Sequence, residues 1–338
     1  MDVGRSIVSW YESHGRNLPW RETRDAYKIW ISEVILQQTR IVQGIAYYHR
    51  FIHRFPDVVS LAQAPIDEVL KYWEGLGYYS RARNLHAAAV SICKEFDGQF
   101  PAHYTELQKL RGIGPYTARA IGSFAFDNAV GVIDGNVLRV MSRFLGDPAP
   151  INKTSTRNRF QEIIDVWVKG VNSRLFNNGI MDLGSVICTP AQPGCLICPL
   201  QTGCTAYREG MTHLLPVKEK QAERKTRYFH FYLAQNEAGS FLIRRRPAEG
   251  LWGGLWEIPN QEVEYRVWEE KSDRPGAKFL FSMKHIFTHF DMQIRVFLLA
   301  GDFSEEWPDA QFISIDKISI FAFSKAVLKI FDTWQNTD

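Results

Sequence analysis

The chain has 338 residues, 45 % hydrophobic and 23 % charged, with a net charge of +3. This is room for two or three domains with buried cores, and the composition is that of neither a disordered nor a low-complexity protein. No run of about 18 apolar residues occurs, so no transmembrane helix is expected, and the opening MDVGRSIVSWYESHG lacks the apolar stretch of a secretory signal. A cytoplasmic location without a membrane partner is the expectation.

Residues 1–213 read as mostly helical. DAYKIWISEVILQQTRIVQGIAYYHRFIHRF and APIDEVLKYWEGL carry apolar residues at helical spacing, and Gly and Pro punctuate at FPDVV, EGLGYY, RGIGPY and DPAPIN. The basic excess lies here, with 23 Lys and Arg against 19 Asp and Glu, whereas residues 214–338 carry 17 against 18. That bias permits a DNA-binding surface without demanding one. Cys93, alone in AAAVSICKEF, reads as a small buried hydrophobe. Residues 214–228 are charged, without an apolar face, and read as a linker. In YFHFYLAQNEAGSFLIRRR, alternating apolar residues flank a turn at Asn236–Gly239, which predicts a β-hairpin. RVFLLAGDF and AQFISID predict further strands, and AFSKAVLKIFDTWQN a closing helix, so residues 229–338 read as α+β.

Cys188, Cys195, Cys198 and Cys204 follow a C-x6-C-x2-C-x5-C pattern. Four cysteines in a reducing compartment point to metal rather than disulfides. Zinc favours two separated C-x2-C pairs, whereas an iron–sulfur cluster tolerates irregular spacing, so both remain open on the spacing alone.

Two further features carry chemistry. In LRGIGPYTA, Gly112 and Gly114 allow a tight turn with outward N–H groups, and Pro115 suits the first turn of a following helix. Together they make an anion site that fits a phosphodiester without base contact. Glu33 sits among Ile31, Val34, Ile35 and Leu36, where burial would raise its pKa. Asp134, before Gly-Asn-Val, reads as a helix N-cap whose donors favour the anion. One protonated and one ionised carboxyl is the division of labour that glycosidic hydrolysis uses.

MDLGSVIC with the cysteine spacing resembles the cluster loop of the endonuclease III and adenine DNA glycosylase superfamily. LRGIGPYTA resembles the helix-hairpin-helix of DNA repair glycosylases. LPWRETRDAYKIWISEVILQQTRI, WEGLGYYSRARNLH, LRGIGPYTARAIGSFAF and VIDGNVLRV together resemble the MutY family of adenine DNA glycosylases over essentially the whole chain. The resemblance implies a multidomain protein. Its all-α glycosylase core, residues 1–213, holds a six-helix barrel with the hairpin at about 25–130, and an iron–sulfur domain from 1–24 plus 131–213. One [4Fe-4S] cluster on the four cysteines stiffens a loop that presents basic groups to phosphates. The implied substrate is double-stranded DNA with adenine opposite 8-oxoguanine or guanine, the adenine being flipped out and excised by a monomer.

Carried over residue by residue, Glu33 protonates adenine N7 and later activates or relays water. Asp134 stabilises the cationic sugar, with a covalent intermediate left open, and Tyr116 lies beside them. Bifunctional relatives carry lysine at the Tyr116 position and form a Schiff base, so a monofunctional enzyme is expected. Gln38 is the implied wedge beside the lesion and Tyr78 a second intercalating residue. Arg16, Trp20 and Arg21 lie near the adenine pocket or the backbone. Asn178 stands where the family often has Gln or Glu, so its contact is in doubt.

GSFLIRRRPAEGLWGGLWEIP resembles the start of a MutT-like (Nudix) fold. No glutamate-rich Mg²⁺ box follows, EEKSD at 269–273 being the nearest approach, so a reader of DNA is expected rather than a second hydrolase. Phe287, Thr288 and His289 match the family's F-S/T-H loop, where the Thr288 hydroxyl would bond the purine opposite adenine. Three rivals are a glycosylase/lyase acting on oxidised pyrimidines, a non-catalytic iron–sulfur DNA-binding protein and a fused Nudix hydrolase. Tyr116, the paired carboxyls and the missing metal box argue against them in turn.

Overall fold

The computed structural model describes residues 1–219, 223–269, 274–300, 307 and 309–336. The chain divides into two compact units, Met1–Ala62 with Ala87–Gln221, and Gln63–His86 with Ala222–Asp338. Residues 1–213 form twelve α-helices and no strand, in line with the helical reading. No helix among the described residues is long and apolar enough to cross a membrane.

In the first unit, the helix Ala26–Leu36 starts at Asp25, whose carboxylate accepts from the N–H groups of Tyr27 and Lys28. It is apolar on every side and therefore buried on every side, from Ile29 through Ile35. The helix Pro115–Phe126 begins with Pro115 after Gly114, and the helix Gly135–Leu145 begins at Asp134, which accepts from the Val137 N–H. A core of Val3, Ile7, Val137, Met141, Phe160, Ile164, Phe176 and Ile180 joins that helix to Val3–His14, Thr154–Trp167 and Ser173–Asp182. Truncating a ring such as Phe160 in this core would cost about 3–5 kcal/mol. Ser173–Asp182 runs through a π-helical turn, Leu183–Ile187, into Cys188. A Cβ at Gly184 would lie 2.7 Å from Asn136 Cβ, so only glycine brings this turn against the start of the Asp134-capped helix.

The segment read as a linker is partly structured. Arg143 Nε donates to Leu215 O at 2.9 Å and the Ile151 N–H to Val217 O at 3.0 Å, which ties residues 214–219 to the first unit. The first strand begins at Lys225, inside the expected linker, and residues 220–222 lie outside the described residues. Backbone pairing fixes both ends, and charge patterning does not report it.

Among the described residues the second unit holds one sheet of seven strands: β1 (Lys225–Gln235), β2 (Phe241–Arg245), β3 (Trp256–Glu257), β4 (Asn260–Val263), β5 (Lys278–Ile286), β6 (Phe290–Ala300) and β7 (Ala310–Ile313). The expected β1–β2 hairpin forms. Gly239 takes φ +75°, and Asn236 Oδ1 accepts from the N–H groups of Ala238 and Ser240. β1 runs parallel to β6 along its whole length and antiparallel to β4, while β5 pairs antiparallel with β6. Phe231, Leu233, Met292 and Ile294 pack with Ala326, Val327, Ile330 and Phe331 of the closing helix Lys325–Gln335, which Ser324 caps. The Gln63–His86 segment hydrogen-bonds within this unit. The Tyr79 hydroxyl donates to Phe323 O at 3.1 Å, Glu74 Oε1 accepts from the Phe323 N–H at 2.9 Å, and Arg83 donates to Gly253 O.

Candidate active site

Glu33 is buried in the middle of its apolar helix, and Tyr116, in the first turn of the hairpin's second helix, donates from its hydroxyl to Glu33 Oε2 at 2.8 Å. Asp134 faces the same cavity from a third helix start. The cavity measures about 470 Å³, and Glu33, Tyr116, Asp134, Arg16, Trp20, Arg21 and Asn178 all line it. Three helices that are distant in sequence thus bring the two carboxyls together.

Their electrostatics differ. Burial pushes Glu33 up to about 7, against the pull of the Tyr116 hydrogen bond and the Arg21 charge. Asp134 accepts from the Val137 N–H at 2.7 Å and from Asn136 Nδ2 at 2.8 Å. Those donors favour the anion as the N-cap reading requires, yet burial outweighs them and the net shift is upward. An N-cap motif reveals its donors but not how deep the cap lies.

The hairpin turn forms at Leu110–Pro115. Gly112 adopts φ +78°, the exposed Gly114 caps the helix, and a Cβ at Gly114 would meet open space. Such a helix start leaves its first N–H groups without intrahelical acceptors. Gln38 is exposed just beyond Ala26–Leu36, while its neighbour Gln37 lines the cavity and donates to Thr117 Oγ1. In the second unit, Phe287–His289 form the turn between β5 and β6. Thr288 Oγ1 is hydrogen-bonded to the Tyr78 hydroxyl, and Tyr78 is half-exposed at φ +47°. Phe287 packs against Trp252 at 5.6 Å between ring centroids and stacks on Phe290 at 4.3 Å. Cys93 is half-buried rather than buried, with its thiol 3.8 Å from Val58 O.

Cys188, Cys195, Cys198 and Cys204 line one small apolar cavity with Arg143, Ile187 and Tyr207. Burial pushes the Cys198 thiol up to about 11 and raises those of Cys195 and Cys204. Backbone N–H groups of Leu200, Ala206 and Tyr207 point at the sulfurs, and Arg143 Nη1 lies 3.4 Å from Cys188 Sγ. An all-thiol donor set with such donors fits an iron–sulfur group. No three His, Cys, Asp or Glu side chains among the described residues converge as one metal ion requires. One expectation fails: residues 188–204 contain no lysine or arginine, so this loop presents no basic group to phosphate. The nearby Arg139 and Arg143 turn inward, onto the carbonyls of Cys188, Gly184, Thr189 and Pro190.

Asp182, inside MDLGSVIC, is a functional candidate that no sequence motif singles out. It is fully buried and accepts from the backbone N–H of Arg16, from Arg16 Nε and Nη2, and from Arg21 Nη1 and Nη2, at 2.5–3.0 Å. Its signal in the sequence is a lone carboxylate among apolar residues, which must be paired if buried.

In the second unit, Glu257 is buried and held by Arg244 at 2.9 Å, by Arg246 and by Asn260 Nδ2 at 2.5 Å, so its oxygens are already taken. Glu269 ends a short helix, and the rest of the EEKSD stretch lies outside the described residues.

A glycine hairpin at a helix N-terminus, beside a cavity lined by a buried glutamate of raised pKa and a hydrogen-bonded aspartate, is an arrangement suited to a DNA N-glycosylase, a hydrolase of the helix-hairpin-helix class. Residues 31–166 match the family model described as HhH-GPD superfamily base excision DNA repair protein, and residues 230–333 match the NUDIX domain. The chain is 35 % identical over 315 residues to an adenine DNA glycosylase of Buchnera aphidicola subsp. Schizaphis graminum, covering 90 % of this chain and 89 % of that one. It is 31 % identical to the adenine DNA glycosylase of Mus musculus, covering 98 % of this chain and 77 % of that one. Among solved structures, a thermostable thymine-DNA glycosylase aligns with a TM-score of 0.56 at 28 % identity, over 61 % of this chain and 95 % of its own. The chain belongs to the adenine DNA glycosylase family.

Proposed function

We propose that this enzyme binds duplex DNA and hydrolytically excises adenine paired with 8-oxoguanine or guanine. The observation that carries the reading is the meeting of Glu33, Tyr116 and Asp134 in one cavity. Glu33, half-protonated near neutral pH, donates a proton to the flipped adenine at N7, which turns the base into a leaving group. Asp134 stabilises the cationic sugar that remains. Tyr116 orients the Glu33 carboxyl through its hydroxyl. Among the described residues arginines but no lysine line the cavity, so no amine is at hand for a Schiff base and the enzyme is monofunctional. The hairpin N–H groups hold a phosphate of the flipped strand.

Cys188, Cys195, Cys198 and Cys204 would hold one [4Fe-4S] cluster, which supplies rigidity to the loop that follows Asp182. Thr288, flanked by Phe287 and His289 and bonded to Tyr78, reads the base opposite adenine, and the paired Glu257 favours a reader over a metal-dependent hydrolase. Glu33→Gln should leave binding to an A:8-oxoguanine duplex intact and abolish adenine release in a single-turnover assay. Retained release would refute the acid role.

A further inference from the structure

Three guanidiniums, those of Arg16, Arg21 and Arg40, stand in the wall of a cavity whose chemistry needs a protonated carboxyl. A cation beside Glu33 would draw its proton away, yet Glu33 forms no ion pair among the described residues, and both Arg16 and Arg21 pair with Asp182. Five hydrogen bonds converge on that one carboxylate. Arg174, from the same helix, holds the loop from the other side by donating to Arg21 O and to Thr23 O at 2.9 Å. A planar fork pinned at several nitrogens keeps few rotamers.

We propose that Asp182 is a positioning residue that holds Arg16 and Arg21 to itself and offsets their charge, so that Glu33 keeps its proton near neutral pH. The inference rests on Glu33 acting as the acid. The groups facing Glu33 are Tyr116, which donates to it, Arg21, which pulls its pKa down, and Asp134, which pushes it up; Arg16 and Arg40 complete the charged lining of the cavity. Around Asp182 stand Arg16, Arg21 and the Tyr11 phenol, whose own pKa burial raises. Asp182 is held below the ordinary carboxylate range by its arginine hydrogen bonds, which outweigh its burial, so it stays ionised throughout the working pH range. Removing its charge leaves two cations unbalanced beside Glu33. Removing Arg21 takes away the cation that already acts on it.

The test is the basic limb of the pH profile for single-turnover adenine release by the full chain. Asp182→Asn should move the limb to lower pH by about one unit or more, lowering the rate at pH 7.5 roughly ten-fold for a one-unit shift while DNA affinity and iron content hold. Arg21→Gln should move the limb the other way, to higher pH. Opposite displacements by two partners of one salt bridge are not what a loosened loop gives. Limbs that stay put, or move together, would overturn the proposal while leaving Glu33 as the acid. Activity in Glu33→Gln would overturn the functional reading itself. Should Asp182→Asn fail to fold, the Arg21→Gln limb decides alone, since a shift downward or none at all contradicts the charge balance.

Discussion

Replacing Glu33 by Gln should stabilise the enzyme at alkaline pH while destroying its activity. Glu33 titrates at about 7 in the fold against an ordinary value of 4.5. Below 4.5 both folded and unfolded chains hold the proton, and this group costs nothing. As pH rises toward 7, the unfolded chain releases its proton while the fold still holds one, so stability falls; above 7 the loss is complete. The rise from 4.5 to about 7, at about 1.4 kcal/mol per pH unit, makes the full penalty about 3.5 kcal/mol, of which roughly 2.5 kcal/mol develops between pH 5 and pH 8. The substituted amide does not titrate and keeps an acceptor for the Tyr116 hydroxyl. Thermal unfolding of wild type and Glu33→Gln, scanned at one rate at pH 5 and pH 8, isolates the effect. The variant's advantage should grow by roughly 5–10 °C between the two pH values, given about 2–4 °C per kcal/mol for a unit of this size. An advantage independent of pH would show that Glu33 is not held protonated, and the acid role would lose its physical basis.

Tyr116→Phe removes the hydrogen bond that, among the described residues, stabilises the Glu33 anion. The Glu33 pKa should rise by about one to two units, visible as a basic limb of the rate profile displaced to higher pH; an unmoved limb would mean that the bond does not reach the carboxyl in solution. Thr288→Ala should cut the preference for 8-oxoguanine over guanine by about three- to ten-fold, the worth of one hydrogen bond, and unchanged selectivity in a competition assay would remove Thr288 from the reading surface. Gln192 lies exposed between Cys188 and Cys195 in a loop without lysine or arginine. If that loop faces phosphate, Gln192→Lys should steepen the log–log salt dependence of DNA binding by about 0.9, whereas an unaltered slope would place the loop away from the backbone.

Much of this was legible in the residues because local rules and the fold agree. The helix Ala26–Leu36 is apolar on all sides, so a glutamate within it had to be buried. Gly112 and Gly114 required a tight turn, and Asp134 stood at a helix start with its donors in sequence reach. What escaped depends on which elements meet. Asp182 matters because its helix end abuts the Arg16–Arg21 loop, more than 160 residues away along the chain. The upward shift at Asp134 depends on the depth of the cavity. Gln63–His86 looks like any other helical stretch, and only side chains such as Glu74, Tyr79 and Arg83 tie it to the second unit. β5 escaped because its register shifts between Phe279 and Phe281 and leaves Phe279 and Ile286 exposed, so no single apolar face runs along it.

The central claim is adenine excision by a pair of carboxyls without an amine nucleophile. Its most direct test is base release from duplexes carrying A:8-oxoguanine, A:guanine, A:T and thymine glycol, each with and without alkali. The account predicts free adenine from A:8-oxoguanine and A:guanine, no reaction at A:T, and strand breakage only after alkali. Strand scission at thymine glycol without alkali, with adenine left in place, would contradict it.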